Sequence, residues 1–177
     1  MVIKKEYFIF CLVGFLFTGI VGALSHFFYQ WSGKISLSAL LFSVNESTWE
    51  HLKLVFFPMF FYFAIGFFFL KDADNYIAAA FLCILTSVIL IPVIFYSYTA
   101  FTGEPILAVD ILTFFVAVLA GFTVAFFVLN MPQNTAFNVV SAPGLAVLLA
   151  LYLTLTFFPP KCFLFKDPIT GGFGIIN

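Results

Sequence analysis

Five stretches of this chain, about 7–30, 48–70, 76–101, 106–129 and 136–158, are long and apolar enough to cross a bilayer as helices. A helix rises 1.5 Å per residue and the hydrocarbon core is about 30 Å thick, so about twenty apolar residues suffice for each crossing. The expected fold is therefore all-α: an integral membrane bundle of five transmembrane helices. It forms one domain, with a C-terminal tail, 159–177, folded over one face. Only 8% of the residues are charged, against about 25% in a soluble domain, and the mean hydropathy is +1.18. The lipid bilayer is the first expected partner. A net charge of −1 and the lack of Arg exclude a nucleic-acid binder, which needs a basic surface to neutralise phosphates.

The first apolar run is too long for the core of a secretory signal and has no small-x-small cleavage pattern, so it reads as a retained span. Lys4 and Lys5 flank it and favour a cytoplasmic N-terminus, although the remaining lysines, including Lys71, divide between the two sides. Cys11, Cys83 and Cys162 are scattered and imply neither a disulfide framework nor a CxxC metal site. The 29 Phe are what an AT-rich genome would encode, and lipid accepts Phe as readily as Leu.

The second run opens on a polar decapeptide, Val44-Asn45-Glu46-Ser47-Thr48-Trp49-Glu50-His51-Leu52-Lys53. Asn45 or Ser47 can cap a helix here, and Ser47-x-x-Glu50 has capping-box spacing. On the helix that follows, Glu46, Glu50 and Lys53 share one stripe, with Trp49 beside it and His51 turned about 100° away. The segment FSVNESTWEHLKLVFFP, residues 42–58, resembles the signature of an uncharacterised family of small bacterial multi-pass membrane proteins with a VNES-x-WEH-x-K-x-x-F-x-P pattern. His26 to Gly33 and Leu164 to Ile175 are similar to that family as well. The resemblance implies a multi-pass fold and no particular chemistry.

Span parity gathers the unusual residues. With five crossings, the end of span 1 (His26, Tyr29, Gln30, Trp31), the start of span 2 (Glu46, Glu50, His51, Lys53) and the end of span 3 (Tyr96, Tyr98, Thr99) reach one face. The start of span 4 (Glu104, Asp110), the end of span 5 (Tyr152, Thr156) and the tail reach it too. Gly14, Thr18, Gly22 and His26 repeat every four residues, a small-residue face suited to close helix contact. Asp110, Thr113, Ala117 and Gly121 form a similar face, and Lys53 or a histidine is the expected partner of Asp110. Pro92 is expected to bend span 3. Pro159-Pro160 ends span 5, and the apolar tail, with Phe163, Leu164, Phe165, Phe173, Ile175 and Ile176, is expected to fold back as a lid.

Three functions fit these residues. The first is a hydrolase or transferase acting on a membrane-associated substrate, with His26, Glu46, Glu50, His51 and Asp110 as candidate catalytic groups. Asn45, Trp49, Lys53, Tyr29, Tyr96 and Tyr152 are then substrate-binding candidates, and a divalent metal is a candidate cofactor on His26, Glu50 and Asp110. No HExxH spacing supports a known metal motif. The second is a small-solute transporter or binding subunit in the cell membrane, which at 177 residues would need a homo-oligomer or a partner membrane subunit. The third is a structural or regulatory membrane subunit whose charges only hold helices together.

Overall fold

The computed structural model describes residues 4–70 and 72–175, so Lys71 and Ile176 lie outside the described residues. The described chain is helical: α1 (Lys5–Trp31), α2 (Ser36–Ala39), α3 (Thr48–Gly66), α4 (Tyr76–Thr102), α5 (Leu107–Leu129) and α6 (Thr135–Leu155). A 3₁₀ turn at Phe163–Phe165 follows. Four of these, α1, α4, α5 and α6, are long and apolar enough to cross a membrane, which is compatible with a multi-pass membrane protein. The second expected span is shorter than its apolar run. α3 ends at Gly66, and Phe67 to Leu70 close it with turn-like backbone bonds to Ile65 and Gly66.

Small residues set the helix spacing. α4 packs most extensively on α5, where Ser87 donates to Cys83 O at 3.0 Å and across the interface to Ala117 O at 2.9 Å. Thr113, Ala117 and Gly121 are all buried on that face of α5. On α1, Gly14, Thr18 and Gly22 are buried, because a side chain at Gly22 would run into the Leu54 carbonyl oxygen and the Phe114 ring. α3 therefore lies tight against α1, and it also touches α4, while α6 rests mainly on α4. α4 continues through Pro92 rather than stopping there.

At the end where α4 begins, Asn75 closes the turn between α5 and α6. It is fully buried, its amide nitrogen reaches the carbonyls of Val128, Met131 and Pro132 at 3.3, 3.2 and 3.1 Å, and its oxygen accepts from Asn134 N at 2.9 Å. Asn138 adds a second tie, accepting from Ala78 N at 3.0 Å and donating to Asp74 O at 2.6 Å. Backbone groups that the helix ends leave free at this turn thus find side-chain partners.

Close approach at Gly22 has a measurable consequence. Gly22→Leu should cost about 1–3 kcal/mol through overpacking, read as unfolding in detergent micelles. Leu16→Met, at a position 52% exposed on the same helix, should change stability by less than about 0.5 kcal/mol.

Candidate functional site

The end of α1, the end of α4 and the late part of α6 meet at the start of α3, through His26, Tyr96 and Tyr152. Ser47 is the N-cap, with its hydroxyl accepting from Glu50 N at 3.4 Å, so the helix begins at Thr48 and Glu46 lies outside it. The expected stripe of Glu46, Glu50 and Lys53 is therefore broken. The capping box is open as well: Ser47 N bonds the Asn45 side-chain oxygen at 2.8 Å, and Glu50 reaches past it to Val44 N at 3.1 Å.

Glu50 and Lys53 form a buried ion pair, 2.7 Å apart, with side chains 2% and 0% exposed. Lys53 also donates to Ala39 O at 2.9 Å and to Phe42 O at 3.4 Å, so all three ammonium hydrogens have acceptors. The pair staples the 39–47 strap to the first turns of α3. Ser43 donates to Asn45 O at 2.8 Å, and the Asn45 amide donates to Gly174 O at 2.8 Å, which joins the strap to the tail.

The strap hands Glu46 to the two histidines. Glu46 Oε2 is 3.3 Å from His51 Nε2, and Oε1 is 3.9 Å from His26 Nε2. The imidazoles stack at 5.2 Å, and each of the three side chains is between 32% and 42% exposed. One donor atom from each residue lies within 4.8 Å of the others. The tautomer of His51 sharpens this arrangement. Its Nδ1 is 3.0 Å from Ser47 O, and a carbonyl only accepts, so Nδ1 carries a hydrogen. A neutral His51 then turns its Nε2 lone pair toward a carboxylate, a repulsive contact that needs a cation between the two atoms. That cation is either a proton or a metal ion. With a proton, the contact is a charged hydrogen bond, and this bond from His51 holds the Glu46 carboxyl below the usual carboxylate range. With a metal, His26, Glu46 and His51 would each supply one donor atom to it.

The structure groups these residues differently from the expected metal set of His26, Glu50 and Asp110. His26 meets Glu46 and His51, whereas Glu50 is held by Lys53, and Asp110 accepts from the Tyr98 hydroxyl. Asp110 pairs with neither Lys53 nor a histidine, because Tyr98 projects from the preceding helix beside the α4–α5 turn and also accepts from Ile106 N at 3.1 Å. Of the other candidates, Tyr96 bonds Thr48 at 2.8 Å, and Tyr29 is buried at the end of α1. Trp49 is stacked between Tyr152 at 4.7 Å and Phe165 of the tail at 4.6 Å. The Trp49 indole nitrogen and the Tyr152 hydroxyl are buried without a partner. Sequence reasoning missed Tyr98 as a partner, the carbonyls of Ala39, Phe42 and Ser47, and Gly174; only Tyr98 carried a side-chain signal.

The ion pair predicts an asymmetric mutational response. Lys53→Met leaves Glu50 buried without its counter-ion and should cost about 3–5 kcal/mol. Adding Glu50→Gln should recover more than half of that loss, measured by the same detergent unfolding on single and double variants.

No curated protein and no solved structure matches the chain. A model for a family of unknown function, DUF6512, matches residues 1–175, and the chain belongs to that family.

Proposed function

We propose that this protein is a membrane-embedded enzyme that holds a divalent metal ion on His26, Glu46 and His51 and hydrolyses or transfers a group of a membrane-associated substrate. The observation that carries the reading is the Nε2 of His51 facing Glu46 while its Nδ1 is tied to the Ser47 carbonyl. Metal-bound histidines characteristically donate their second ring hydrogen to such an oxygen, which fixes the ring and its tautomer. Two imidazoles and one carboxylate leave coordination positions open, the donor set of catalytic zinc and of non-haem iron. Such an ion would polarise a substrate carbonyl or phosphoryl oxygen and acidify bound water.

The protein's own groups divide the remaining work. Glu46 contacts both histidines, the Glu50–Lys53 pair fixes the strap that carries it, and Asp110 with Tyr98 fastens the start of α5. In this reading α3 is the fifth crossing, with its charged first turns at the membrane surface. The tail covers the same pole as a lid, an arrangement supported by the Trp49–Phe165 stack and the Asn45–Gly174 bond. Lys4 and Lys5 favour a cytoplasmic N-terminus in this reading.

Elemental analysis of purified protein tests the site. Stoichiometric zinc or iron is expected, lost in Glu46→Gln and His51→Ala and retained in Asp110→Asn; metal-free protein after loading at neutral pH overturns the reading. A second reading rests on the unpartnered Trp49 nitrogen and Tyr152 hydroxyl, which favour a bound polar solute beneath the tail. Thermal stabilisation of metal-free protein by a solute library, abolished in Tyr152→Phe, would support that transporter or binding role.

A further inference from the structure

We propose that the groove between α1 and α5 holds one acyl chain of a membrane lipid and that the lipid's polar end lies at the His26–Glu46–His51 cluster. The inference rests on the metal-site reading and names its substrate class as long-chain lipid. The groove is a laterally open depression of about 380 Å³, lined by Phe15, Leu16, Gly19, Ile20, Ala23 and Phe115 among others, all apolar. At mid-span depth a groove open to the side meets hydrocarbon and not water, so an occupant with polar groups along its length is disfavoured. A flexible chain suits it better than a rigid helix does. The floor is Gly19, where an added Cβ would come within 2.9 Å of the Phe115 ring, so the channel between the helices is narrow.

Register connects groove and cluster. Gly19 and His26 are seven residues apart and Phe15 and His26 eleven, both close to whole numbers of helical turns, so the Phe15–Gly19 edge of the groove runs along α1 to His26, while Leu16, Ile20, Ala23 and Leu24 form the wall turned away from it. From Phe15 to His26 the helix rises about 16 Å, close to the roughly 15 Å hydrocarbon thickness of one leaflet. A chain lying along this face therefore ends with its polar attachment beside His26. The neighbouring aromatics fit that level: Phe27 packs edge-on to His26 at 5.2 Å and stacks on Trp31 at 5.6 Å, and the two are 50% and 65% exposed. Exposed Trp beside an apolar span is characteristic of headgroup depth.

A second apolar groove, about 310 Å³ and bordered by Phe60, Phe63, Phe67 and Tyr76, does not share this relation. Phe60 lies nine residues beyond His51 on α3, about 13 Å along the axis, and the rest lie deeper toward the far end.

The test uses full-length protein in bilayer discs, without added metal, and phosphatidylcholine carrying a photoreactive diazirine on one acyl chain. Cross-links are mapped by peptide mass spectrometry. The proposal expects labelling of residues 15–24 and Phe115 several-fold above labelling of the outward face of α6 at Val139 and Val147. Ala23→Phe, which fills the groove, should reduce groove labelling to the α6 level and leave α6 labelling unchanged. Equal labelling of groove and α6 in the unmodified protein, the signature of surrounding lipid only, overturns the proposal, and that comparison needs no variant to fold. Failure of the metal reading is separately visible: groove labelling with no metal by elemental analysis removes the metal centre and still supports an acyl-chain site.

Discussion

The Glu50–Lys53 pair is the interaction on which the polar end of this bundle depends. Two charges withdrawn from water are tolerated only when their remaining hydrogen-bonding capacity is met, and here the acceptors come from the chain preceding α3. Ala39 O and Phe42 O take two ammonium hydrogens, and Val44 N gives its hydrogen to the carboxylate. The ion pair is thereby also a fold constraint, since it fixes where residues 39–44 run. That path delivers Glu46 to the histidines on α1 and α3.

The rest of the bundle supplies a rigid frame for that end. Without a hydrophobic driving force between helices in lipid, association relies on close packing and hydrogen bonds between helices. Gly22 lets α1 touch the α3 backbone, and Ser87 reaches the α5 carbonyl at Ala117. Asn75 does the equivalent work at the opposite end, spending both ends of one amide on the α5–α6 turn. Gly22 lies four residues from His26, about 6 Å along α1, so its close contact with α3 sets the helix spacing beside the cluster.

The all-helical class, the four spanning-length helices and the buried faces of α1 and α5 were legible in the sequence, because a bilayer permits few alternatives and small residues every four positions mark close contact. The candidate site was legible only in part. Its residue types stood out as costly polar groups in an apolar chain, yet their pairing turned on whether Asn45 or Ser47 caps α3. With Ser47 as cap, Glu46 leaves the helical stripe and joins the histidines. The partners of Lys53 are backbone carbonyls, which have no sequence signature. Asp110 found Tyr98 because the α4–α5 turn folds the end of one helix back on the start of the next, a short-range effect that a search among distant charges overlooks. The early end of α3 was hidden as well, since Phe67 to Leu70 are as apolar as the helix before them.

The stacking of Trp49 between Tyr152 and Phe165 gives the chain a built-in optical reporter. Its two tryptophans occupy opposite environments, Trp31 on the rim and Trp49 sandwiched under the last residues. Emission from Trp49 thus follows the seating of the Phe163–Phe165 turn, while emission from the exposed Trp31 follows whatever medium surrounds the bundle, so one spectrum separates a local rearrangement from a change of surroundings.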